Sequence, residues 1–146
     1  MQLPMSRSMY PEELVQPMRA ELTQIGFEEL RTPDAVDEKL TEKGTTLVVV
    51  NSICGCAARM ARPAVRIALD NATAKPDHLT TVFAGQEKEA TDRARRYFTG
   101  YPPSSPSIAL LRDGQIVFML ERWQIEGRPA PDIARDLAGA FEEHCG

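Results

Sequence analysis

Thr45-Thr46-Leu47-Val48-Val49-Val50-Asn51-Ser52-Ile53-Cys54-Gly55-Cys56 is the stretch on which the reading of this chain turns. Its β-branched, unbroken apolar first half predicts a strand over Thr45 to Asn51 that is buried on both faces of an α/β sheet. Directly after the thiols, Ala57 to about Asn71 carries Met60, Ala64, Ile67 and Ala68 at helical spacing, with Pro63 expected to kink that helix. Two cysteines one residue apart therefore stand where a buried strand becomes a helix N-terminus. Backbone amides converging there favour an anion, so a cysteine at that point tends to be a nucleophilic thiolate.

Working outward, Glu12 to Ile25 reads as an amphipathic helix, with Leu14, Met18, Leu22 and Ile25 on its apolar stripe and Gly26 as its stop. Phe27 to Leu30 is a short edge strand or extended connection. Thr32-Pro33-Asp34 opens a second helix running to about Lys43. Leu79 to Ala84 is a strand and Gln86 to Phe98 a helix. Asp113-Gly114, between Ser107–Arg112 and Gln115–Glu121, is the strongest hairpin signal in the chain. Pro129 to His144 closes it with a helix turning Ile133, Leu137, Ala140 and Phe141 inward. This order predicts an α/β fold, a central mixed sheet of four to five strands with helices on both faces. Neither repeats nor a linker divide it, so residues 1–146 read as one domain, with residues 1–9 expected to be a flexible N-terminus.

The chain has 146 residues, 42% hydrophobic and 26% charged, which suits one soluble core. Its net charge of −4 argues against a nucleic-acid partner. No apolar run approaches the ~20 residues that cross a bilayer, and Met1 to Tyr10 lacks the pattern of a secretory signal. The expected compartment is the cytoplasm, where three cysteines serve redox or metal chemistry more often than a structural framework.

Side chains two apart on a helix point to opposite sides, so a Cys54–Cys56 disulfide needs Cys54 and Gly55 in the non-helical turn. Gly55 fits, because so small a ring asks for backbone angles that a Cβ penalises. The ring is strained, and such a pair favours the reduced state or a mixed disulfide. Cys54, ahead of the helix and expected to be the more exposed, is the attacking thiolate; Cys56 is the resolving thiol. Cys145, at a chain end that should fray, is read as incidental.

A further element is Pro102-Pro103-Ser104-Ser105-Pro106-Ser107. In a thioredoxin-like fold a cis-proline begins the strand beside the redox turn and leaves the preceding backbone free to pair with substrate, and Ser105-Pro106 stands at that point in the chain order. With these residues in place the chain resembles the bacilliredoxin family, thioredoxin-like proteins with a Cys-Gly-Cys centre. The matching segments are Thr45–Ser52, Cys54–Ala58, Ala61-Arg62-Pro63, Val82–Gln86, Tyr97–Gly100, Pro103–Ser107 and Ile125-Glu126-Gly127. The resemblance implies that Cys54 takes a bacillithiol cap from an S-thiolated cytoplasmic protein, and that Cys56 or a second low-molecular-weight thiol clears it. It implies no tightly bound cofactor and no metal, the low-molecular-weight thiol being a co-substrate. Trp123 departs from the pattern, since relatives often carry histidine there.

Gly55, Ser105, Pro106 and Arg62 are the candidate substrate contacts. Arg62 belongs to a basic strip with Arg59 and Arg66 and is the one expected to meet the carboxylates of a bacillithiol malate. His78 and His144 have no partner at zinc spacing and read as surface residues. Two other readings stand beside cap removal: a protein disulfide isomerase, and a thiolate metal-binding protein, two sulfurs being half a zinc site unless a dimer pools two turns. The oligomeric state is left open.

Overall fold

The computed structural model describes residues 8–146. In chain order the elements are α1 (Glu12–Thr23), β1 (Glu28–Glu29), α2 (Pro33–Leu40), β2 (Thr45–Asn51), a π-helical turn (Ala57–Ala61) running into α3 (Arg62–Asn71), β3 (His78–Phe83), α4 (Lys88–Arg95), β4 (Ser107–Arg112), β5 (Gln115–Leu120), α5 (Arg122–Ile125) and α6 (Ala130–Cys145). The sheet has five strands in the order β1-β3-β2-β4-β5. β1 and β2 both run parallel to β3, while β4 is antiparallel to β2 and to β5.

β2 is the central strand, and all seven of its residues are buried. Its pleat divides them between two cores. Leu47 and Val49 join Ile108 and Leu110 against α3, α6 and Leu22 of α1. Val48 and Val50 join Ala109 and Leu111 against Val36 and Leu40 of α2 and Ala90 and Ala94 of α4. Burying each aliphatic side chain contributes roughly 1.5–3 kcal/mol, so the register of this strand is strongly fixed.

Several boundaries move for local reasons. α2 opens as expected, with the Thr32 hydroxyl accepting the Ala35 amide at 3.1 Å, but stops at Leu40. There the Thr41 hydroxyl donates to the Asp37 carbonyl at 2.6 Å and competes with the helical ladder. α4 is shorter than Gln86–Phe98 because its last turn tightens into bonds such as Phe98 N–H to the Arg95 carbonyl. α1 is rotated from the expected stripe: Val15, Arg19 and Leu22 face inward, while Leu14 is 48% exposed. Arg19 is buried because three carboxylates meet it, Glu12 and Glu87 at 2.7 Å each and Glu29 at 3.7 Å. The β4–β5 turn has φ of 50° at Asp113 and 80° at Gly114, the paired positive angles of a type I′ hairpin.

The tail is also firmer than expected. α6 runs to Cys145, whose half-buried thiol packs against the α3–α6 core beside Thr45. At the other terminus, Met9 N–H donates to the Gly85 carbonyl at 2.7 Å and Tyr10 N–H to Gln86 Oε1 at 2.9 Å, so the chain is held from there onward. Residues 1–7 of the expected flexible start lie outside the described residues.

Candidate active site

The strand directions bring four segments to one end of the sheet. β2 and β3 finish there, leading to Cys54 and Gly85. β4 starts there, after Ser105-Pro106, and β5 finishes there, leading to Arg122. A cleft of about 230 Å³ is lined at that end by Ser52, Ile53, Cys54, Gly85, Ser105 and Arg122, with Met9 and Tyr10 among its walls.

Asn51, the last residue of β2, organises the turn. Its Oδ1 accepts the Ser52 amide at 2.9 Å and Nη1 of Arg62 at 2.9 Å, and its Nδ2 donates to the Met18 carbonyl at 3.2 Å. The Ser52 hydroxyl accepts the Cys54 amide at 3.3 Å. The Cys54 carbonyl accepts the amides of Ala57 and Ala58 at 3.0 and 3.2 Å, which starts the helix. Pro63 sits where regular α-helix resumes after the π-helical turn, a place where its missing N–H is tolerated, and it is accommodated without ending the helix.

Both thiols are free and half-buried. Contrary to expectation, Cys54 is the more deeply packed. Burial is the largest single influence on its thiol and works against ionisation. The Ser52 hydroxyl, the amides of Ala57 and Cys56 and the Arg122 guanidinium together outweigh it, and Cys54 lies below the ordinary cysteine value. Cys56 lies above it, through burial first, then the facing Cys54 charge, with Arg122 opposing and Glu126 adding to the rise. One residue of separation thus yields an acidic thiol and a reluctant one.

Arg122 stands at the cleft mouth. Its Nε is 3.2 Å from Glu126 Oε2, its Nη1 donates to the Ser105 carbonyl at 3.2 Å, and its Nη2 lies 4.0 Å from Cys56 Sγ. Its amide donates to the Ser104 hydroxyl at 3.3 Å, and Arg95 Nη2 reaches the Ser104 carbonyl at the same distance. Cys56 Sγ donates to Glu126 Oε2 at 4.0 Å.

The remaining expected contacts divide. The Ser105-Pro106 bond is cis, as the chain order implies; Ser105 lines the cleft, while Pro106 is itself buried and offers no open surface. Gly55 is exposed and already in the helical first turn, not in the non-helical turn expected, because the free thiols impose no ring on it. Arg62 differs from the exposed strip expected: it is 3% exposed, with Nη1 on Asn51 and on the Ser52 carbonyl at 3.0 Å and Nε 3.2 Å from Glu21, so it braces the turn from inside. Arg59 and Arg66 are exposed, as a solvated face would be. Trp123 is 69% exposed, with Nε1 donating to Glu121.

Sequence reasoning missed Arg122 and gave Glu126 no role. The available signal was local: Glu121 and Gln124 form a capping box, and Arg122 and Glu126 are an i, i+4 pair beginning just after β5.

A family profile described as disulphide isomerase matches residues 10–145. A bacilliredoxin of Koribacter versatilis (strain Ellin345) is 60% identical over 139 residues, covering 94% of this chain and 95% of the relative. The chain belongs to the bacilliredoxin family. A bacilliredoxin of Halalkalibacterium halodurans is 51% identical over 141 residues, 97% of each chain. Among solved structures, thioredoxin from Fasciola hepatica has a TM-score of 0.56 at 16% identity, covering 81% of this chain and 99% of that one, which shows the thioredoxin fold. As a bacilliredoxin with that fold, the chain is a thiol–disulfide oxidoreductase. No helix among the described residues is long and apolar enough to cross a membrane.

Proposed function

We propose that this protein removes low-molecular-weight thiol caps, bacillithiol foremost, from mixed disulfides on cytoplasmic proteins. The observation that carries the reading is the unequal pair: Cys54, eased toward thiolate by Ser52, two helix-start amides and Arg122, beside a Cys56 held as thiol. Cys54 thiolate attacks the cap sulfur; the protein–cap S–S bond breaks and the protein leaves as thiolate. Cys56 then loses its proton and attacks the Cys54 sulfur, expelling the cap as thiolate and closing a Cys54–Cys56 disulfide. Alternatively, a second low-molecular-weight thiol attacks Cys54–S–S–cap and leaves the dithiol reduced. The cleft beside Ser105 would seat the chain carrying the disulfide.

The bacilliredoxin relatives favour cap removal, and the family description favours a second activity, isomerisation of protein disulfides, which would use the same first attack. The test incubates a bacillithiol-capped protein with wild type, Cys54→Ala and Cys56→Ala. Expected are turnover by wild type, none by Cys54→Ala, and a persistent cap adduct on Cys54 in Cys56→Ala. A capped protein left intact by wild type, while a scrambled-disulfide protein is repaired, would move the assignment to isomerase. Stoichiometric metal on freshly purified protein in native mass spectrometry would move it to a thiolate metal site.

A further inference from the structure

Cys56 is bracketed by a carboxylate and a guanidinium that are bound to each other. Glu126 Oε2 accepts from Cys56 Sγ at 4.0 Å and from Arg122 Nε at 3.2 Å, and Arg122 Nη2 is 4.0 Å from the same sulfur. Arg122 also donates to the Ser105 carbonyl, which ties the half-exposed pair to the cis-proline turn. The charged groups facing Cys56 are therefore Cys54, Arg122 and Glu126. A Cys54 thiolate and the Glu126 carboxylate both oppose a charge on Cys56, and they differ in one respect: Cys54 loses its charge on taking a cap, whereas Glu126 keeps its own.

We propose that Glu126 is a positioning residue that retards the resolving step, holding Cys56 as a thiol after Cys54 has been capped so that the Cys54 adduct outlives the first transfer. The proposal rests on the cap-transfer reading. An S–H donating to a carboxylate is stabilised in its neutral form, and attack on a disulfide needs the thiolate. Capping removes one of the two anions, so the first transfer itself readies Cys56 in part; burial and the Glu126 carboxylate hold back the rest, with Arg122 pulling the other way. The balance of the delayed step is simple. Cys56–SH gives its proton to solvent, its thiolate bonds to the Cys54 sulfur, the Cys54–cap S–S bond breaks, and the cap leaves as thiolate and is protonated. The longer-lived adduct gives a second low-molecular-weight thiol time to take the cap, so the enzyme turns over by the route that needs only Cys54.

The experiment measures cap release from pre-capped Cys54 at pH 7 without added thiol, for wild type, Glu126→Gln and Glu126→Asp. The Cys56 titration is read in parallel from alkylation, peptide by peptide, in a Cys54→Ser background. Glu126→Gln is expected to move the Cys56 midpoint to lower pH and to speed release. The gain is about threefold for each unit of midpoint shift, because the tenfold gain in thiolate is partly offset by lower nucleophilicity. Glu126→Asp is expected to keep the slow release. Unchanged release and midpoint in Glu126→Gln would overturn the proposal, and so would slower release, which would make Glu126 a proton acceptor for Cys56. Failure of Cys54 to accept any cap in Cys56→Ala would instead sink the cap-transfer reading itself.

Discussion

At position 55 a Cβ would meet no atom within 4 Å, and the glycine is already helical. Nothing in the reduced fold asks for glycine there; only the closed ring does. Gly55→Ala is therefore expected to stabilise the reduced protein by about 0.5–1 kcal/mol in urea titration while slowing Cys54–Cys56 ring closure. A destabilised reduced form would show that Gly55 has a packing role. Cys54 carries the pH dependence. Because its titration is lowered, alkylation should rise with pH and level off at a midpoint below that of free cysteine, near ~8.5. Arg122→Gln removes one of the influences that lower it, so the midpoint should climb and the rate at pH 7 fall by about two- to fivefold, a modest figure because the guanidinium is half-exposed. The cysteines and the Ser105-Pro106 turn were readable as local text. Arg122 was not, because its importance comes from where β5 ends in space and nothing in its own neighbours states that.

Among the elements, the joint between β2 and α3 is where sequence and structure part most usefully. Arg62 lies on the helix face that the spacing marks, yet burial turns it toward Asn51 and Ser52 instead of outward. Arg62→Ala would strand the Asn51 carboxamide oxygen and the Ser52 carbonyl and leave Glu21 without its partner. It should cost about 2–4 kcal/mol in denaturant unfolding and slow Cys54 equally toward a carboxylate-bearing cap and a small neutral disulfide. A loss confined to the carboxylate-bearing cap would restore the ligand role. The strand, the hairpin and the last helix were legible because their hydrophobic periods and turn residues agree with their final positions. The ends of α2 and α4 were not, since side-chain bonds such as Thr41 to Asp37, and tightened final turns, cut short a pattern that composition alone would continue.

For the whole molecule, the catalytic end is assembled by strand direction, and the elements beside it are tied by charge. Arg19 is 2% exposed, meets Glu12, Glu29 and Glu87, and lies 5.1 Å from the Phe83 ring, so it joins α1, β1 and the start of α4. Arg19→Met should cost roughly 3–5 kcal/mol in thermal or urea unfolding, chiefly by leaving the enclosed Glu87 carboxylate unpaired. Glu12 is lowered, first by its hydrogen bond from Arg19. Its contribution is therefore present above the unfolded carboxyl value near ~4.3 and disappears as pH falls through the folded one. The Glu12 contribution should accordingly be constant above about pH 5 and be lost in acid, and Arg19→Met should blunt that loss. That α/β layering was legible from the alternation of elements; the buried cation was not, because a lone arginine in an amphipathic helix reads as surface until Glu29 and Glu87, from distant segments, are seen to join Glu12 of its own helix around it. The third thiol follows from the same geometry. Cys145 sits by Thr45, at the opposite end of β2 from the paired sulfurs, roughly 20 Å of strand away. No intramolecular bridge can span that gap, so a fully oxidised monomer should still titrate one sulfhydryl per chain, a built-in tally against which every redox state of the other two can be counted.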